Sequence, residues 1–270
     1  MVVQHNLSAM NTSRQMGSVS SAMSKSTEKL SSGYKINRAA DDAAGLSISE
    51  KMRSQIRGLN KASDNAQDGI SLIQVAEGAL NETHSILQRM NELATQAAND
   101  TNTSVDRQSI KDEIKQLNEE LDRISSTTQF NKQDLLTGGF SGKLQVGALE
   151  GQTMDVKISL AVSAKGLKVS AVEVSTNAKA GAAMQSIQDA IESVSKQRSK
   201  LGAIQNRLEH TINNLDTNAE NTQAAESRIR DTDMADEMVQ YSKNNILSQA
   251  GQSMLTQANQ QTQGVLSLLQ

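Results

Sequence analysis

LNKASDNAQDGISLIQVAEGALNETHSILQRMNELATQA, residues 59–97, is the stretch that decides the fold. Small and apolar residues recur along it in alternating steps of three and four. The series is Leu59, Ala62, Ala66, Gly69, Ile73, Ala76, Leu80, Thr83, Leu87, Met90, Ala94 and Ala97. This spacing places the whole series on one face of a helix and is typical of a coiled-coil seam. We therefore predict a single long helix over approximately residues 48–98, which would span on the order of 75 Å.

The same spacing appears on both sides of this helix. A second seam consists of Ile110, Ile114, Leu117, Leu121 and Ile124. It follows a polar turn at 99–103, so the two helices are expected to form an antiparallel hairpin. Ser104 is the predicted N-cap of the second helix, and Asp106 would lie in its first turn. Further helices are predicted over residues 1–35 and beyond residue 180.

The pattern of apolar and polar residues changes over residues 138–181. Gly138-Gly139 and Gly142 are expected to break the helix. Apolar residues then alternate with polar ones, which is the period of a strand. The two alternating sets are Met154, Val156, Ile158 and Leu160, and then Leu167, Val169 and Ala171. We predict that these two sets form a small β-hairpin region.

The predicted fold is mainly α. It is an elongated antiparallel helical bundle or coiled-coil rod with a small β-hairpin region, plus a terminal paired-helix domain. Residues 1–45 and 230–270 would form the terminal domain, because the two chain ends are expected to pair. Residues 46–140 and 180–229 would form the helical rod, with residues 141–179 as the β-hairpin region within it.

The composition supports long helices and excludes several classes of protein. The 270 residues include no Pro, Cys or Trp, and only two Phe and two Tyr. Proline interrupts helices and aromatic side chains fill wide globular cores, so thin layers between long helices are expected. Charges of both signs are interspersed, with a net charge of −3, and no basic stripe indicates nucleic-acid binding. No apolar run of about 18 residues predicts a membrane helix, and the N-terminus lacks the pattern of a secretory signal peptide.

Patterns typical of catalytic, cofactor or metal sites are not found in the sequence. His5, His84 and His210 lie far apart, and none has a partner at metal-ligand spacing. Asp41 and Asp42 are neighbours that would not face each other on a helix, whereas acid–base catalysis needs groups that converge on a pocket. We therefore predict no catalytic residue, no cofactor and no bound metal.

One strip of the long helix carries mainly polar side chains at helical spacing. It consists of Gln88, Arg89, Glu92, Leu93 and Gln96. From spacing alone, the strip is interpreted as a solvated face, with Leu93 at the edge of the core beside Ala94.

The C-terminal stretch, residues 244–270, contains no Asp, Glu, Lys or Arg, although chain ends are normally polar. A coiled-coil seam is predicted for Leu247, Gly251, Met254, Ala258, Gln261, Val265 and Leu268. An uncharged apolar stripe of this kind needs a cover, which we expect other copies of the chain to provide. The residues predicted to act in polymerisation are Ile246, Leu247, Met254, Leu255, Val265, Leu266, Leu268 and Leu269.

Five segments carry a resemblance to a known family. They are KLSSGYKINRAADDAAGLSI (29–48), DGISLIQVAEGALNE (68–82), QVGALEGQ (145–152), AAESRIRDTDMADEM (224–238) and ILSQAGQSML (246–255). Each resembles a segment of the bacterial flagellins, and the likeness extends over approximately residues 1–160 and 180–270. The chain is therefore similar to a short, minimal flagellin without the large central variable domains of many members.

The resemblance implies a function and a set of partners. A flagellin is the self-assembling structural subunit of the flagellar filament, so the resemblance implies a homopolymer and not an enzyme. It also implies export through the flagellar type III apparatus and a location in the extracellular bacterial flagellum. The implied partners are further copies of the chain, an export chaperone that binds the C-terminal residues named above, and the filament cap and hook-junction proteins.

The resemblance also gives the strip of polar residues a second interpretation. Arg89, Leu93 and Glu113 match the family's contact patch for the vertebrate Toll-like flagellin receptor, and the same face would pack on a neighbour in the filament. The residues predicted for these contacts are Gln88, Arg89, Glu92, Leu93, Gln96 and Glu113. Three positions depart from the pattern: Asn91 stands where many members carry Arg, and Tyr34-Lys35 stands where Leu-Arg is common.

Two other classes of protein share some of these features. A chemoreceptor-like signalling bundle is also rich in Ala and heptads, but it would lack the glycine-bounded β segment and would not need an apolar C-terminus. A flagellin-based enzyme would need a catalytic domain inserted centrally, where only about 40 residues are available.

Overall fold

The computed structural model describes residues 6–267, with side chains described up to Gln261, and consists mainly of helices. In chain order the elements are α1 (Leu7–Ser32), α2 (Ala43–Ala97), α3 (Ser104–Thr127), β1 (Gln129–Phe130), β2 (Gln133–Asp134), β3 (Phe140–Gln145), β4 (Thr153–Ile158), α4 (Asn177–Arg230) and α5 (Met234–Ser267). The predicted mainly α class is confirmed.

The chain divides into two compact units. We call Met1–Ser54 together with Asn221–Gln270 the terminal unit, and Gln55–Glu220 the central unit. The terminal unit is longer at both boundaries than the terminal domain predicted from the sequence, which comprised 1–45 and 230–270.

The core of the central unit is built on the predicted seam of α2. All twelve residues of that series, from Leu59 to Ala97, are buried. The neighbouring helices contribute Ile110, Ile114, Leu121 and Ile124 from α3, and Ile187, Val194, Leu201, Leu208 and Leu215 from α4. The helices α2 and α4 are antiparallel, because Ser63 donates a hydrogen bond to Asp216 (3.0 Å) and, further along α2, the Thr95 hydroxyl donates to the Met184 sulfur (3.3 Å).

The N-cap of α3, in the turn that follows α2, differs by one residue from the predicted one. Thr103, not Ser104, is the N-cap of α3: its hydroxyl accepts a hydrogen bond from the Asp106 amide (3.3 Å), and the Asp106 carboxylate accepts one from the Thr103 amide (2.9 Å). This capping box satisfies amides that have no partner within the helix. The Thr103 hydroxyl also donates to the Asp106 carboxylate and lowers its pKa. Asp106 therefore stabilises the folded state at neutral pH, and this contribution is lost as the pH falls through the lowered pKa.

The β-hairpin of the central unit is displaced from its predicted position. β3 pairs antiparallel with β4, with Phe140 opposite Ile158 and Gln145 opposite Thr153. The predicted alternation from Met154 to Ile158 is confirmed, because it coincides with β4. The expectation that helix continues to the glycines near residue 138 is wrong, since α3 ends at Thr127 and the short β1–β2 pair follows it.

The predicted strand from Leu167 to Ala171 is also wrong, because this segment forms a compact turn. The Ala164 carbonyl accepts hydrogen bonds from the amides of Val169 (2.9 Å) and Ser170 (3.1 Å). The backbone groups that a strand would offer to a neighbour are therefore used locally. Leu167 and Val169 are buried, so the alternation reflects which residues of the turn face the core.

In the terminal unit, α1 and α5 form an antiparallel pair. Asn6 donates a hydrogen bond to the Ala258 carbonyl (3.0 Å), and at the other end of the pair the Lys29 ammonium lies 3.3 Å from the Glu237 carboxylate. Cα atoms of the two helices lie within 8 Å of each other along the pair, and Gly251 of α5 faces Met16 of α1.

Replacing Thr103 by Ala is expected to lower the free energy of unfolding by about 1 kcal/mol, because the N-cap of α3 is lost. Ser104→Ala removes a hydroxyl one residue further on and is the matched control, with an expected change within about 0.5 kcal/mol. Urea unfolding followed by circular dichroism at neutral pH measures both values. Equal losses in the two variants would contradict the assignment of Thr103 as the N-cap.

Candidate assembly and recognition surfaces

The face of α5 that meets α1 shares Gly251 and Ala258 with the predicted seam, but it has Ser248 and Leu255 where the seam has Leu247 and Met254. The buried and half-buried residues along the described part of α5 are Glu237, Tyr241, Asn244, Asn245, Ser248, Gly251, Leu255 and Ala258. Leu247 and Met254, which the sequence placed on a seam that other copies would cover, are 44% and 58% exposed. The helix contact is therefore made mainly by small and polar side chains, together with Tyr241 and Leu255, and the exposed apolar side chains lie outside it.

The terminal unit has almost no apolar core of its own. Among its described residues, Ile36 and Ala258 are the only buried hydrophobic side chains. The central unit, in contrast, contains a continuous buried cluster that extends from Ala66 to Leu208. Hydrophobic stabilisation is roughly proportional to the apolar area removed from water, so this term contributes little to the terminal unit of a single chain.

Large apolar side chains lie instead on the surface of the terminal unit. Among the described residues, nine of the twelve exposed large hydrophobic side chains belong to it, although the central unit is the larger of the two. The nine are Leu7, Met10, Ile48, Met234, Met238, Val239, Ile246, Leu247 and Met254. A groove along α5, which we call the α5 groove, is lined by Met238, Val239, Ser242, Lys243, Ile246 and Leu247. A contiguous apolar surface of this kind is typical of an interaction site.

The residues predicted for polymerisation differ in their surroundings. Ile246, Leu247 and Met254 are exposed and available for contact. Leu255 is half-buried on the face that meets α1. The remaining four side chains lie outside the part of the chain that the structure describes: Val265, Leu266, Leu268 and Leu269.

A polar junction that the sequence did not predict connects the end of α1 to the segment between α4 and α5. Gly33 ends α1 with a φ of 75°, and its carbonyl accepts a hydrogen bond from the Thr232 amide (3.0 Å). The Tyr34 ring lies 4.7 Å from the Arg230 guanidinium, and Arg230 pairs with Glu50 at 2.9 Å. A guanidinium over an aromatic ring at this distance is attractive. Tyr34, which departs from the family pattern, therefore has a partner that a leucine would lack.

The strip of polar residues on α2 meets α3 through one arginine. Arg89 donates to Glu113 Oε1 from Nε (3.0 Å) and from Nη2 (2.9 Å), and to Glu92 at 3.2 Å. The hydrogen bond with Glu113 is the main reason why the pKa of Arg89 is raised. Gln88 and Gln96 are exposed beside this arginine. The structure thus brings Arg89 and Glu113 together on the surface of the central unit.

Leu93 does not belong to this surface. It is 2% exposed and lies in the core of the central unit, so the interpretation from spacing, which placed it at the core, holds, and its assignment to the exposed contact patch is wrong. The core contains residues of α3 and α4 together with those of α2. The buried face of α2 is therefore wider than the seam of a two-helix coiled coil, and it includes Leu93 as well as Ala94.

The described part of the chain contains no group of three or more His, Cys, Asp or Glu side chains that could hold a metal ion. None of its helices has a stretch long and apolar enough to cross a bilayer. The features that stand out are the two contact surfaces described above.

Both ends of the chain match models of one protein family. The bacterial flagellin N-terminal helical region matches residues 3–141, and the bacterial flagellin C-terminal helical region matches residues 184–269. The flagellin of Halalkalibacterium halodurans is 55% identical over the whole of both chains, and a flagellar filament 31.3 kDa core protein of Treponema maltophilum is 50% identical, again over the whole of both chains. The crystal structure of Bacillus cereus flagellin is 34% identical, with a TM-score of 0.51, and covers 60% of this chain and 94% of that one.

These matches define a helical protein whose N-terminal and C-terminal regions both carry the family's domains. The chain belongs to the bacterial flagellin family. It is a short member, because the two matched regions leave only residues 142–183 between them and the alignment with the H. halodurans relative spans both chains entirely. Membership of this family argues against a chemoreceptor-like bundle.

Leu93→Ala is expected to destabilise the central unit by about 2–5 kcal/mol, because it leaves a cavity in a packed core. Arg89→Ala, one turn away on the same helix, removes only exposed ion pairs and is the matched control, with little expected change. Urea unfolding of both variants measures the difference. A loss for Leu93→Ala no larger than that for Arg89→Ala would contradict the burial of Leu93.

Proposed function

We propose that this chain is the structural subunit of the bacterial flagellar filament, a homopolymer that acts outside the cell, and that it is not an enzyme. The observation that carries the proposal is the terminal unit, whose described residues bury almost no apolar side chain and expose a broad apolar surface. Such a unit is completed when neighbouring copies cover that surface. The name of the Treponema maltophilum relative, a flagellar filament core protein, supports the same function.

The free energy of burial indicates whether a contact with one neighbour is sufficient for association. Complete burial of a Val, Leu, Ile or Met side chain stabilises by about 1.5–3 kcal/mol. Val239, Ile246, Leu247 and Met254 are between 44% and 66% exposed, so covering all four contributes about 3–7 kcal/mol per copy. The loss of translational and rotational freedom costs about 4–15 kcal/mol, which exceeds this gain over most of its range, so additional contacts are needed.

Assembly with several neighbours offsets that cost. A contact that joins different surfaces of identical copies, and does not close into a ring, extends into a helical filament. Each added copy then contacts several others. The free energy gained by burial at all of these contacts offsets the free-energy cost of immobilising the copy. The α5 groove supplies one surface of such a contact, because it is apolar and lies outside the α1–α5 pair.

The same surface requires partners before and during assembly. An export chaperone covers the C-terminal residues of the subunit in the cell, because an amphipathic helix is recognised through apolar anchors that enter a groove. The flagellar type III apparatus then exports the subunit, and the filament cap and hook-junction proteins contact it at the ends of the polymer. The family resemblance supports these partners.

Deletion of residues 252–270 is expected to abolish polymerisation on filament seeds, because it removes Met254, Leu255 and the apolar residues that follow. The central unit should remain folded, since none of its residues is deleted. Sedimentation measures polymer, and circular dichroism measures helical content. A truncated chain that polymerises at the parental concentration would falsify the assembly proposal.

A point variant tests the α5 groove within the full chain. Ile246→Gln places a polar side chain at a position that is 66% exposed in the free subunit, and it is expected to raise the critical concentration for polymerisation about tenfold. Gln240→Ser, at an exposed polar position of the same helix, is the control and should polymerise normally. Unchanged polymerisation of Ile246→Gln would show that the groove stays open in the polymer.

A second proposed function is recognition of the free subunit by the vertebrate Toll-like flagellin receptor. It is favoured by the exposed cross-helix pair, because an arginine at the centre of a contact patch is a common anchor of binding energy. The exposed residues of this surface are Gln88, Arg89, Glu92, Gln96 and Glu113. Leu93 supports the surface from below, since it is buried. The same face packs on a neighbour in the filament, so the receptor meets it on free subunits.

Arg89→Ala is expected to reduce receptor affinity by about tenfold or more and to lower filament yield, with the helical content unchanged. Arg123→Ala is the matched control, because Arg123 is also an exposed arginine and pairs with Glu120 on α3. Surface plasmon resonance with the receptor ectodomain measures affinity, and sedimentation measures filament yield. If both variants bind the receptor as tightly as the parent, the strip is only a solvated helix face.

A further inference from the structure

Methionine carries all the sulfur of this chain, and its exposure differs between the two units. The sequence contains eleven Met and no Cys. Among the described methionines, those with exposed side chains are Met10 (64%), Met234 (49%), Met238 (50%) and Met254 (58%), all in the terminal unit. We call these four residues the methionine set. In the central unit, Met90 and Met154 are buried, and Met184 is half-buried with its sulfur accepting a hydrogen bond from Thr95.

We propose that the methionine set is an oxidation site that controls assembly. A two-electron oxidant such as hydrogen peroxide transfers one oxygen atom to each thioether. The O–O bond breaks and an S–O bond forms, so that sulfur is oxidised to the sulfoxide and the peroxide is reduced to water. This inference rests on the proposed function, because it requires that the apolar surface of the terminal unit becomes buried between copies.

The position of two of these methionines explains why oxidation would block the contact. Met238 lines the α5 groove with Val239 and Ile246. Met254 lies seven residues after Leu247 and therefore on the same side of the helix. A sulfoxide at either position is a strong hydrogen-bond acceptor on a surface that polymerisation removes from water. Burial of such a group without a donor raises the critical concentration by about tenfold or more.

Oxidation at these positions spares the fold of the free subunit. The four side chains are exposed there, so their sulfoxides remain hydrated and leave the helix contact unchanged. Met90 and Met154 of the central unit are shielded by burial. In the polymer, neighbouring copies cover the methionine set. Free subunits are therefore sensitive to peroxide, and assembled subunits are protected from it.

The test begins with purified wild-type subunits treated with hydrogen peroxide and then mixed with filament seeds. Peptide mass spectrometry measures the sulfoxide fraction at each methionine, and circular dichroism measures helical content. We expect sulfoxides at the methionine set and little at Met90 and Met154. The critical concentration should rise at least about tenfold with helical content unchanged. Preformed filaments given the same treatment should stay assembled, and the four side chains of the methionine set should remain unoxidised thioethers.

Two further arms connect the effect to these side chains. A fourfold variant, Met10→Leu, Met234→Leu, Met238→Leu and Met254→Leu, keeps similar apolar volume and should polymerise after peroxide treatment. Met184→Leu is the matched control and should keep the sensitivity of the parent. Repair of the oxidised wild type by methionine sulfoxide reductases for both epimers should restore polymerisation, which tests the proposal without any substitution.

The outcomes separate this proposal from the one on which it rests. If untreated wild-type subunits fail to polymerise, the proposed function is contradicted, and the methionine proposal with it. If untreated subunits polymerise and oxidised subunits do so equally well, the methionine proposal alone is overturned. It is also overturned if reductase treatment restores the thioethers without restoring assembly, or if a folded fourfold variant loses assembly to peroxide as readily as the parent.

Discussion

Two paired helices can cover only one face of each other, and the terminal unit depends on which residues occupy that face. On α5 the contact is made largely by small and polar side chains, including Ser248, Gly251 and Ala258. The hydrogen bond from Asn6 and the ion pair of Lys29 and Glu237 secure its two ends. Such contacts contribute little net stability each. The exposed apolar residues lie on the outer side of the helix, so in the assembly that we propose, pairing within the chain and association between chains use different faces of α5.

The central unit supplies the burial that the terminal unit lacks. Its seam on α2 mixes large residues with alanine and glycine, and α3, α4 and the β3–β4 hairpin close around it. Gly69 shows why a small residue is needed there, because a Cβ atom at this position would overlap the side chain of Leu144 on β3. The hairpin thus packs directly against the helix backbone. A folded central unit can form within one chain without waiting for a neighbour.

Long periodic patterns in the sequence are sufficient to predict the helices. Short patterns do not predict every strand or the exact buried face of each helix. The seam of α2 repeats over eleven steps, and every predicted position is buried. Spacing defines the direction of a face only approximately, so the predicted seam of α5 combines Leu247 and Met254, which are exposed, with Gly251 and Ala258, which meet α1. It also cannot show how many neighbours a helix has, so it predicts Leu93 at the edge of the core and not within it. The alternation at Leu167 and Val169 arose from a turn, which can bury every second residue as a strand does.

Helix caps and contacts between residues far apart in sequence could not be predicted from periodicity. Thr103 and Ser104 are adjacent hydroxyl residues, and only the backbone geometry shows which of them caps α3. The partners in the junction, Tyr34 and Arg230, are separated by most of the chain, and no periodic pattern relates them. Such contacts follow from the fold and cannot be read from spacing.

The absence of charged residues over 244–270 fits the proposed use of the outer face of α5 as a contact between copies. A charged group moved from water into an apolar contact costs several kcal/mol unless a partner of opposite charge meets it. On a surface covered from several sides, each charge would need such a partner in every neighbouring copy. Lys243 is the last charged residue of the chain, and it lies at the side of the α5 groove. The uncharged segment that follows it therefore fits the proposed assembly, in which other copies bury the outer face of the helix.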